Sequence, residues 1–189
     1  SGLVDNFQFP SVTWNGKYIV FTSSVQDMWE GNDIFIGEFV NPLLVDNIRP
    51  LNEVNAPEAA DAYPHISGDG LRLYFTRNNA IYYARRDTAE GRFGAHLKLS
   101  FEGGFDTYIT SCWLTANEEI IFLVGNNVIF FALKTSEDFH YEQPRVFTRA
   151  FENGPFIAGL SMDQLNNELY LYCSDYKEFI LKYSLAGNL

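Results

Sequence analysis

The fold of this chain is indicated most clearly by residues 61–76, whose sequence is DAYPHISGDGLRLYFT. The stretch predicts two short strands of alternating apolar character joined by a tight Asp-Gly turn. Related stretches occur at 9–22, 111–122 and 160–172. Their aligned central residues, Phe21, Phe75, Phe122 and Leu171, are separated by 54, 47 and 49 residues. A strand-rich repeat of roughly 40–50 residues is typical of a β-propeller, in which each repeat forms one blade.

The length and composition fit one such domain. The chain has 189 residues and a mass of 21.6 kDa, which is enough to bury about 70% of the unfolded surface. Hydrophobic residues make up 47% and aromatic residues 16%, so the chain as a whole is not disordered. We therefore predict a single all-β domain over 1–189, a small β-propeller with four blades of antiparallel strands. The predicted blades are 10–51, 64–99, 110–148 and 158–189.

The fourth blade has three predicted strands, at 158–162, 168–173 and 178–184. We expect Leu3-Val4-Asp5 to complete it as a closing strand, because an unpaired sheet edge invites aggregation. The competing arrangement is a larger ring made from two chains. Both a monomer and a homodimer are therefore compatible with the pattern.

The negative net charge of the chain restricts the classes of molecule that it is expected to bind. The net charge is −11 and the sequence pI is about 4.6, which argues against a nucleic-acid backbone or an anionic membrane surface. No apolar run approaches the ~18 residues that a membrane span needs. The excess of acidic residues fits binding of a cationic ligand. It equally fits an acidic protein whose charge serves no specific partner. Cys112 and Cys173 are expected to be buried free thiols rather than a disulfide.

Residues 61–75 closely resemble the WD40-like repeat of TolB-type propellers. Tyr63-Pro64 opens the inner strand, Asp69-Gly70 forms the turn, and residues 73–75 lie in the second strand, as in that family. Residues 32–36 are similar to the family's third strand. The resemblance implies a binding or scaffold role, often in bacterial envelopes. A periplasmic or secreted location is compatible with it, but the residues themselves leave the compartment open. It implies no catalytic residues.

The longer connections of the predicted propeller gather at one face. They are the links at 52–63, 100–109 and 149–157 and the insert at 23–32, and they are rich in acids. Binding groups are often carried by long loops on a rigid scaffold. We predict that this face is an acidic mouth with an aromatic rim, lined by Asp27, Trp29, Glu30, Asp61, Tyr63, His65, Asp106 and Tyr108.

Structural roles are open for the same residues. Trp29 could fold over its own blade, the tyrosines could pack between blades, and Asp61 could cap a turn. The histidines at 65, 96 and 140 lack the spacing of metal ligands, so neither a metal nor another cofactor is expected. No nucleophile elbow or phosphate-binding loop is present.

The leading functional interpretation is a non-catalytic binding or assembly module. Its acidic face would bind a protein partner or a small cationic ligand. A lectin-like module is the alternative, with Trp29 and the loop tyrosines stacking on a sugar. A propeller glycosidase-like hydrolase is a third, although the predicted inner strands lack the pair of carboxylates, ~5–9 Å apart, that such an enzyme uses. The sequence does not decide whether the chain is an enzyme, and it favours a non-enzymatic role.

Overall fold

The computed structural model describes residues 4–25, 32–115, 117–136, 139–149, 156–163, 168–174 and 179–184. Strands, turns and bends account for the regular structure of these residues, and no α-helix occurs among them. The all-β fold class predicted from the sequence is therefore confirmed. The chain divides into two compact units, 1–99 and 100–189.

The first unit contains two four-stranded antiparallel sheets. The strands of the first sheet, in spatial order, are β1 (Val4–Val12), β2 (Tyr18–Val25), β3 (Asp33–Asn41) and β4 (Leu44–Pro50). Those of the second are β5 (Asp61–Ile66), β6 (Arg72–Arg77), β7 (Ala80–Arg85) and β8 (Leu97–Lys98). Each sheet is a simple meander, which is the structure of a propeller blade.

The second unit contains the strands β9 (Ser100–Phe101), β10 (Ser111–Leu114), β11 (Ile120–Gly125), β12 (Val128–Leu133), β13 (His140–Tyr141) and β14 (Arg145–Arg149). A four-stranded sheet has the order β10-β11-β12-β14, and β9 pairs in parallel with β13. The last strands are β15 (Phe156–Asp163), β16 (Glu168–Ser174) and β17 (Phe179–Ser184). They form a three-stranded antiparallel sheet.

The start of the chain differs from the prediction. Val4 pairs with Val25 and Asp5 pairs with Ser24, so both residues lie in the first sheet. They were expected beside the last strand of the fourth sheet. The prediction is wrong because the first strand begins at Val4 rather than near residue 10, and therefore already uses these residues. Leu3, the third residue of the predicted closing strand, lies outside the described residues.

Two hairpins turn through pairs of asparagine residues. Asn78 and Asn79, between β6 and β7, have φ values of 48° and 61°. Asn126 and Asn127, between β11 and β12, have φ values of 50° and 59°. Two-residue hairpins need positive φ at both central positions, and asparagine tolerates this conformation better than most residues. Local chemistry therefore sets the register of both hairpins.

An apolar core lies between the two sheets of the first unit. It contains Tyr18, Val20, Ile34, Ile36, Leu51, Val54, Ile66, Leu73, Phe75, Ala84 and Phe93. Hydrogen bonds join the same two sheets: Asp61 N–H donates to the Asn32 carbonyl at 2.8 Å, and Ile66 N–H donates to Ser11 Oγ at 3.1 Å. The inner strand β5 is thus held between its own sheet and the first one.

Gly125 marks a close approach of two segments in the second unit. A Cβ at this position would overlap the Tyr108 carbonyl oxygen and would lie 3.1 Å from Thr107 Cγ2 and 3.2 Å from Ile109 Cδ1. Only glycine therefore lets the segment before β10 pack against the end of β11.

We expect Gly125→Ala to lower the free energy of unfolding by about 1–3 kcal/mol, because the new methyl group forces the buried segment to move. Urea denaturation monitored by circular dichroism measures the change. Gly94→Ala is the matched control, since its Cβ would meet only the Arg85 carbonyl oxygen, at an ordinary 3.5 Å. Equal stability of the two variants would contradict the close approach at Gly125.

Candidate functional site

Strand β5 carries three of the predicted site residues within five positions. Asp61 is fully buried, with 0% of its surface exposed, whereas Tyr63 and His65 are partly exposed. The register of β5 against β6 shifts between Ala62 and His65, and Tyr63 lies inside this bulge. The three residues are therefore close in the chain but have different environments.

Asp61 forms a buried ion pair with Arg77 of the neighbouring strand. Arg77 Nε donates to Asp61 Oδ1 at 2.7 Å, and Nη2 donates to Oδ2 at 2.9 Å. The Ala56 backbone N–H also donates to Asp61 Oδ2, at 2.8 Å. Because both of its oxygens are engaged and buried, this carboxylate has no surface to offer a ligand in this conformation. Its role here is to fix the loop before β5.

The Arg77 guanidinium is also buried, although slightly less completely than Asp61. Its central carbon lies 5.2 Å from the ring centroids of Phe75 and Tyr82. Nη2 also donates to the Val54 carbonyl at 2.6 Å, and Nη1 lies 2.7 Å from His96 Nε2. A guanidinium has no acceptor, so His96 Nε2 must accept and the imidazole is neutral. Burial and, secondly, the charge of Arg77 lower the pKa of His96.

Tyr63 and Phe9 form a strained aromatic pair. Both have positive φ, 52° for Tyr63 and 53° for Phe9, and each directly precedes a proline at a bulge in an inner strand. The ring centroids are 4.0 Å apart. Tyr63 N–H donates to Thr22 Oγ1 at 3.1 Å, which holds the unusual backbone in place. Such conformations are costly for bulky residues and tend to occur at functional sites.

His65 is a titratable residue of the same strand, and its imidazole is uncharged at neutral pH. Loss of hydration lowers the pKa of its imidazole to about 4, so the side chain carries no charge at neutral pH. Its ring lies 6.4 Å from that of Tyr74. With His65 neutral and Asp61 paired to Arg77, the predicted residues of β5 present no free charge. The acidic character expected of this part of the mouth is absent from these residues.

Asp33 is a partly buried acid near this strand. Burial and, secondly, the charge of Asp61 raise the pKa of its carboxyl group. It lies at the start of β3 and pairs with Ser23 in the sheet. Among the described residues of the first unit, Asp33 is therefore the carboxyl group whose pKa is raised.

The other five predicted residues do not belong to strand β5. Asp27, Trp29 and Glu30 lie outside the described residues. Asp106 and Tyr108 belong to the second unit, in the segment before β10; Asp106 is exposed, and 53% of the Tyr108 surface is exposed. Phe105 anchors this segment by packing against Phe101 and Phe130, with ring centroids 5.5 and 5.1 Å away.

A shallow depression of about 300 Å³ lies elsewhere in the second unit. Its lining residues are Glu102, Glu142, Gln143, Pro144 and Arg145. Arg145 Nη2 donates to Glu142 Oε2 at 3.3 Å. The acidic loop residue Glu102 contributes to it, but none of the eight predicted site residues does.

The sequence reasoning missed Phe9 and Arg77. The signal for Phe9 was present, because Phe9-Pro10 repeats the Tyr63-Pro64 dipeptide of the next inner strand. Arg77 gave no comparable signal, since a basic residue at the end of a strand is ordinarily exposed.

Within the described ranges, no group of three or more His, Cys, Asp or Glu side chains is positioned to hold a metal ion. In the same part of the chain, no helix has the length and apolar character required to span a bilayer.

Comparison with solved structures identifies the fold. The catalytic domain of the Coprinopsis cinerea GH62 α-L-arabinofuranosidase has a TM-score of 0.69 and 16% identity, over 98% of this chain and 67% of that one. The Podospora anserina α-L-arabinofuranosidase, solved with cellotriose, has a TM-score of 0.68 and 14% identity, over 95% and 64%. A Mycobacterium tuberculosis puromycin-hydrolyzing peptidase has a TM-score of 0.58 and 10% identity, over 97% and 28%.

These similar structures are β-propeller folds, and this chain has a fold of the β-propeller type. It spans about two thirds of the arabinofuranosidase chains and about a quarter of the peptidase. No protein-family model matches the sequence, and no curated protein matches it. Identities this low, to proteins with different activities, show the fold alone.

We expect Arg77→Met to lower the free energy of unfolding by about 3–5 kcal/mol, because Asp61 would remain buried without its cation. Urea denaturation at neutral pH measures the effect. Arg145→Met is the control, since its ion pair with Glu142 is exposed on both sides and contributes about 0–1 kcal/mol. Similar losses in the two variants would contradict a special role for the buried pair.

His65 is expected to make stability depend on pH. Its pKa is about 4 in the folded protein and about 6.5 in the unfolded chain, so the unfolded state binds the proton more tightly. The neutral His65 therefore contributes at most about 3 kcal/mol to the free energy of unfolding. This contribution is complete above about pH 6.5 and is lost as the pH falls toward 4. Urea denaturation at pH values between about 4 and 6.5 should show a smaller loss of unfolding free energy for His65→Gln than for the wild type. Parallel curves would contradict a neutral, dehydrated His65.

Proposed function

We propose that this chain is a non-catalytic binding module of the β-propeller type, and that its ligand is a neutral, polyhydroxylated molecule such as a sugar. The observation that carries the proposal is the Phe9–Tyr63 pair, two aromatic rings held 4.0 Å apart at strained positions of adjacent inner strands. Both side chains are partly exposed, so the pair offers aromatic surface to a ligand.

The electrostatics around the pair favour a neutral ligand over a cation. Asp61 is neutralised by Arg77, and the lowered pKa of His65 leaves that imidazole uncharged at neutral pH. A cation would find no unpaired carboxylate among the described site residues of β5. A sugar needs none, because its C–H face packs on aromatic rings and its hydroxyls bond to neutral groups.

Similarity at two levels supports the proposal. Two of the similar folds are α-L-arabinofuranosidases, one of them solved with cellotriose, so the architecture accommodates sugars in other proteins. The resemblance of 61–75 to TolB-type repeats supports a binding role without chemistry. Both supports are analogies of fold, and the residues on β1 and β5 carry the argument for this chain.

A protein partner or cationic ligand on the loop face is the second candidate. The net charge of −11 and the exposed acids Glu102 and Asp106 of the second unit favour it. Binding of that kind weakens steeply with salt, because exposed charges are screened. Sugar binding at the aromatic pair is expected to be nearly independent of ionic strength, so the salt dependence of binding separates the two.

A glycosidase-like hydrolase is the third candidate, and Asp33 is the residue that favours it. Its raised pKa is the property of a general acid. Asp61 cannot act as the second carboxylate in this conformation, because it is fully buried and held by Arg77. Release of product from a chromogenic α-L-arabinofuranoside, lost in Asp33→Asn, would favour this candidate over the binding module.

The proposal predicts that cellotriose binds the wild type, and that the double substitution Phe9→Ala with Tyr63→Ala weakens binding by about tenfold or more through loss of the aromatic surface. Isothermal titration calorimetry at low and high salt measures both effects. Tyr108→Ala is the control, because this tyrosine is more exposed than Phe9 or Tyr63 but lies in the second unit. Loss of affinity in Tyr108→Ala alone would move the site to the loop face and contradict the proposal.

A further inference from the structure

Trp14 lies in the turn between β1 and β2 and is unusual in being both exposed and backed by protein. Of its surface, 72% is exposed. Its backbone N–H donates to the Gly68 carbonyl at 2.9 Å. A Cβ at Gly68 would overlap Trp14 Cγ, Cδ2 and Cε2, so the indole lies directly against the glycine backbone. One side of the indole is therefore supported, while most of its surface remains open to solvent.

The turn that carries Trp14 is fixed by its own side chains. Thr13 Oγ1 donates to Asn15 Oδ1 at 2.8 Å and accepts from Tyr18 N–H at 3.0 Å. Thr13 N–H donates to the Tyr18 carbonyl at 3.0 Å, and Gly16 supplies the positive φ of 64° that closes the turn. The backbone on either side of Trp14 therefore has little freedom.

The turn beneath the indole is equally well braced. Asp69 Oδ1 accepts from Ser67 Oγ at 2.6 Å and from Leu71 N–H at 3.0 Å. Asp69 Oδ2 accepts from Arg72 Nη2 at 2.8 Å. Gly68 is thus held by a turn that does not have to reorganise when something binds. A ligand that stacks on Trp14 would lose little free energy to ordering of the protein.

The turn that carries Trp14 also offers two neutral donors. Trp14 Nε1–H makes no hydrogen bond within the described part of the chain. Asn15 uses its Oδ1 in both of its side-chain hydrogen bonds, which leaves the Nδ2 amide free among the same residues. Uncharged donors at the edge of an aromatic face suit the hydroxyl oxygens of a sugar.

The size of the apolar surface also favours a small ligand. Val12 and Pro10 are exposed apolar residues at this end of β1. A stable protein interface needs roughly 1,000 Å² or more of buried surface with good complementarity, well beyond one indole and these two small side chains. A single sugar ring matches an indole in size.

We infer that Trp14, supported by Gly68 and flanked by the Asn15 amide, is a stacking platform for a neutral pyranose ring, separate from the Phe9–Tyr63 pair. The inference takes its ligand class from the proposed function but depends on different residues. The sugar ring packs its C–H face on the indole, and its hydroxyls accept from Trp14 Nε1–H and Asn15 Nδ2–H.

The test uses the whole chain labelled with ¹⁵N and titrated with cellotriose. Indole N–H signals are read by NMR, and Trp14→Phe identifies the Trp14 signal by its disappearance. The inference predicts that cellotriose shifts this signal in the wild type and also in Phe9→Ala with Tyr63→Ala. The affinity read at this site should fall about tenfold or more in Gly68→Ala, because the new methyl group displaces the indole from its support.

Trp14→Ala tests the platform by affinity, with each site read separately by backbone amide shifts. Amides of residues 13–16 should stop responding to cellotriose, whereas those around Tyr63 should respond as before. If cellotriose shifts the amide signals near Tyr63 but not the indole signal of Trp14, this inference is wrong and the proposed function still stands. A Trp14 indole that moves with a proline-rich peptide but not with cellotriose overturns the sugar assignment. Absence of any shift with cellotriose overturns both proposals.

Discussion

The ion pair between Asp61 and Arg77 is the interaction on which the structure around β5 depends. It joins the start of one strand to the end of the next, and its oxygens and nitrogens also hold the loop at 54–56. Two aromatic rings and the neutral His96 complete the enclosure of the guanidinium. Charges taken out of water are tolerated only when each is fully paired, so the geometry of all these segments is coupled.

That coupling explains why β5 can support a strained residue. The Asp61 end of the strand is fixed by the ion pair, and Ile66 at the other end donates to Ser11 Oγ. Between these anchors Tyr63 adopts a positive φ, with its N–H satisfied by Thr22. Phe9 has the same conformation in β1, and its ring meets that of Tyr63. The surrounding hydrogen bonds and packing thus hold two bulky residues where isolated strands would not.

The same first unit presents aromatic surface in two different ways. In the Phe9–Tyr63 pair, two rings support each other at bulges. At the turn after β1, a glycine backbone supports a single indole. In both places the aromatic surface is held rigidly and the neighbouring charges are paired or absent, as binding of a neutral ligand requires. This shared character is the physical link between the proposed function and the Trp14 platform.

The sequence by itself determined the class of fold, the positions of most strands and the two asparagine turns, because these follow from short-range alternation and from the φ preferences of single residues. It also indicated the inner strand with Tyr63 and His65. It predicted Asp61 as a ligand contact and carried a signal for Phe9 in the repeated aromatic-proline dipeptide, but it did not indicate Arg77 or Trp14. Only the tertiary structure decided the burial of Asp61, the meeting of Phe9 with Tyr63 and the support of Trp14 by Gly68. Each of the two aromatic contacts joins residues 54 positions apart in the chain, Phe9 with Tyr63 between two inner strands and Trp14 with Gly68 between two turns. The burial of Asp61 likewise depends on packing against segments that are not its neighbours in the chain.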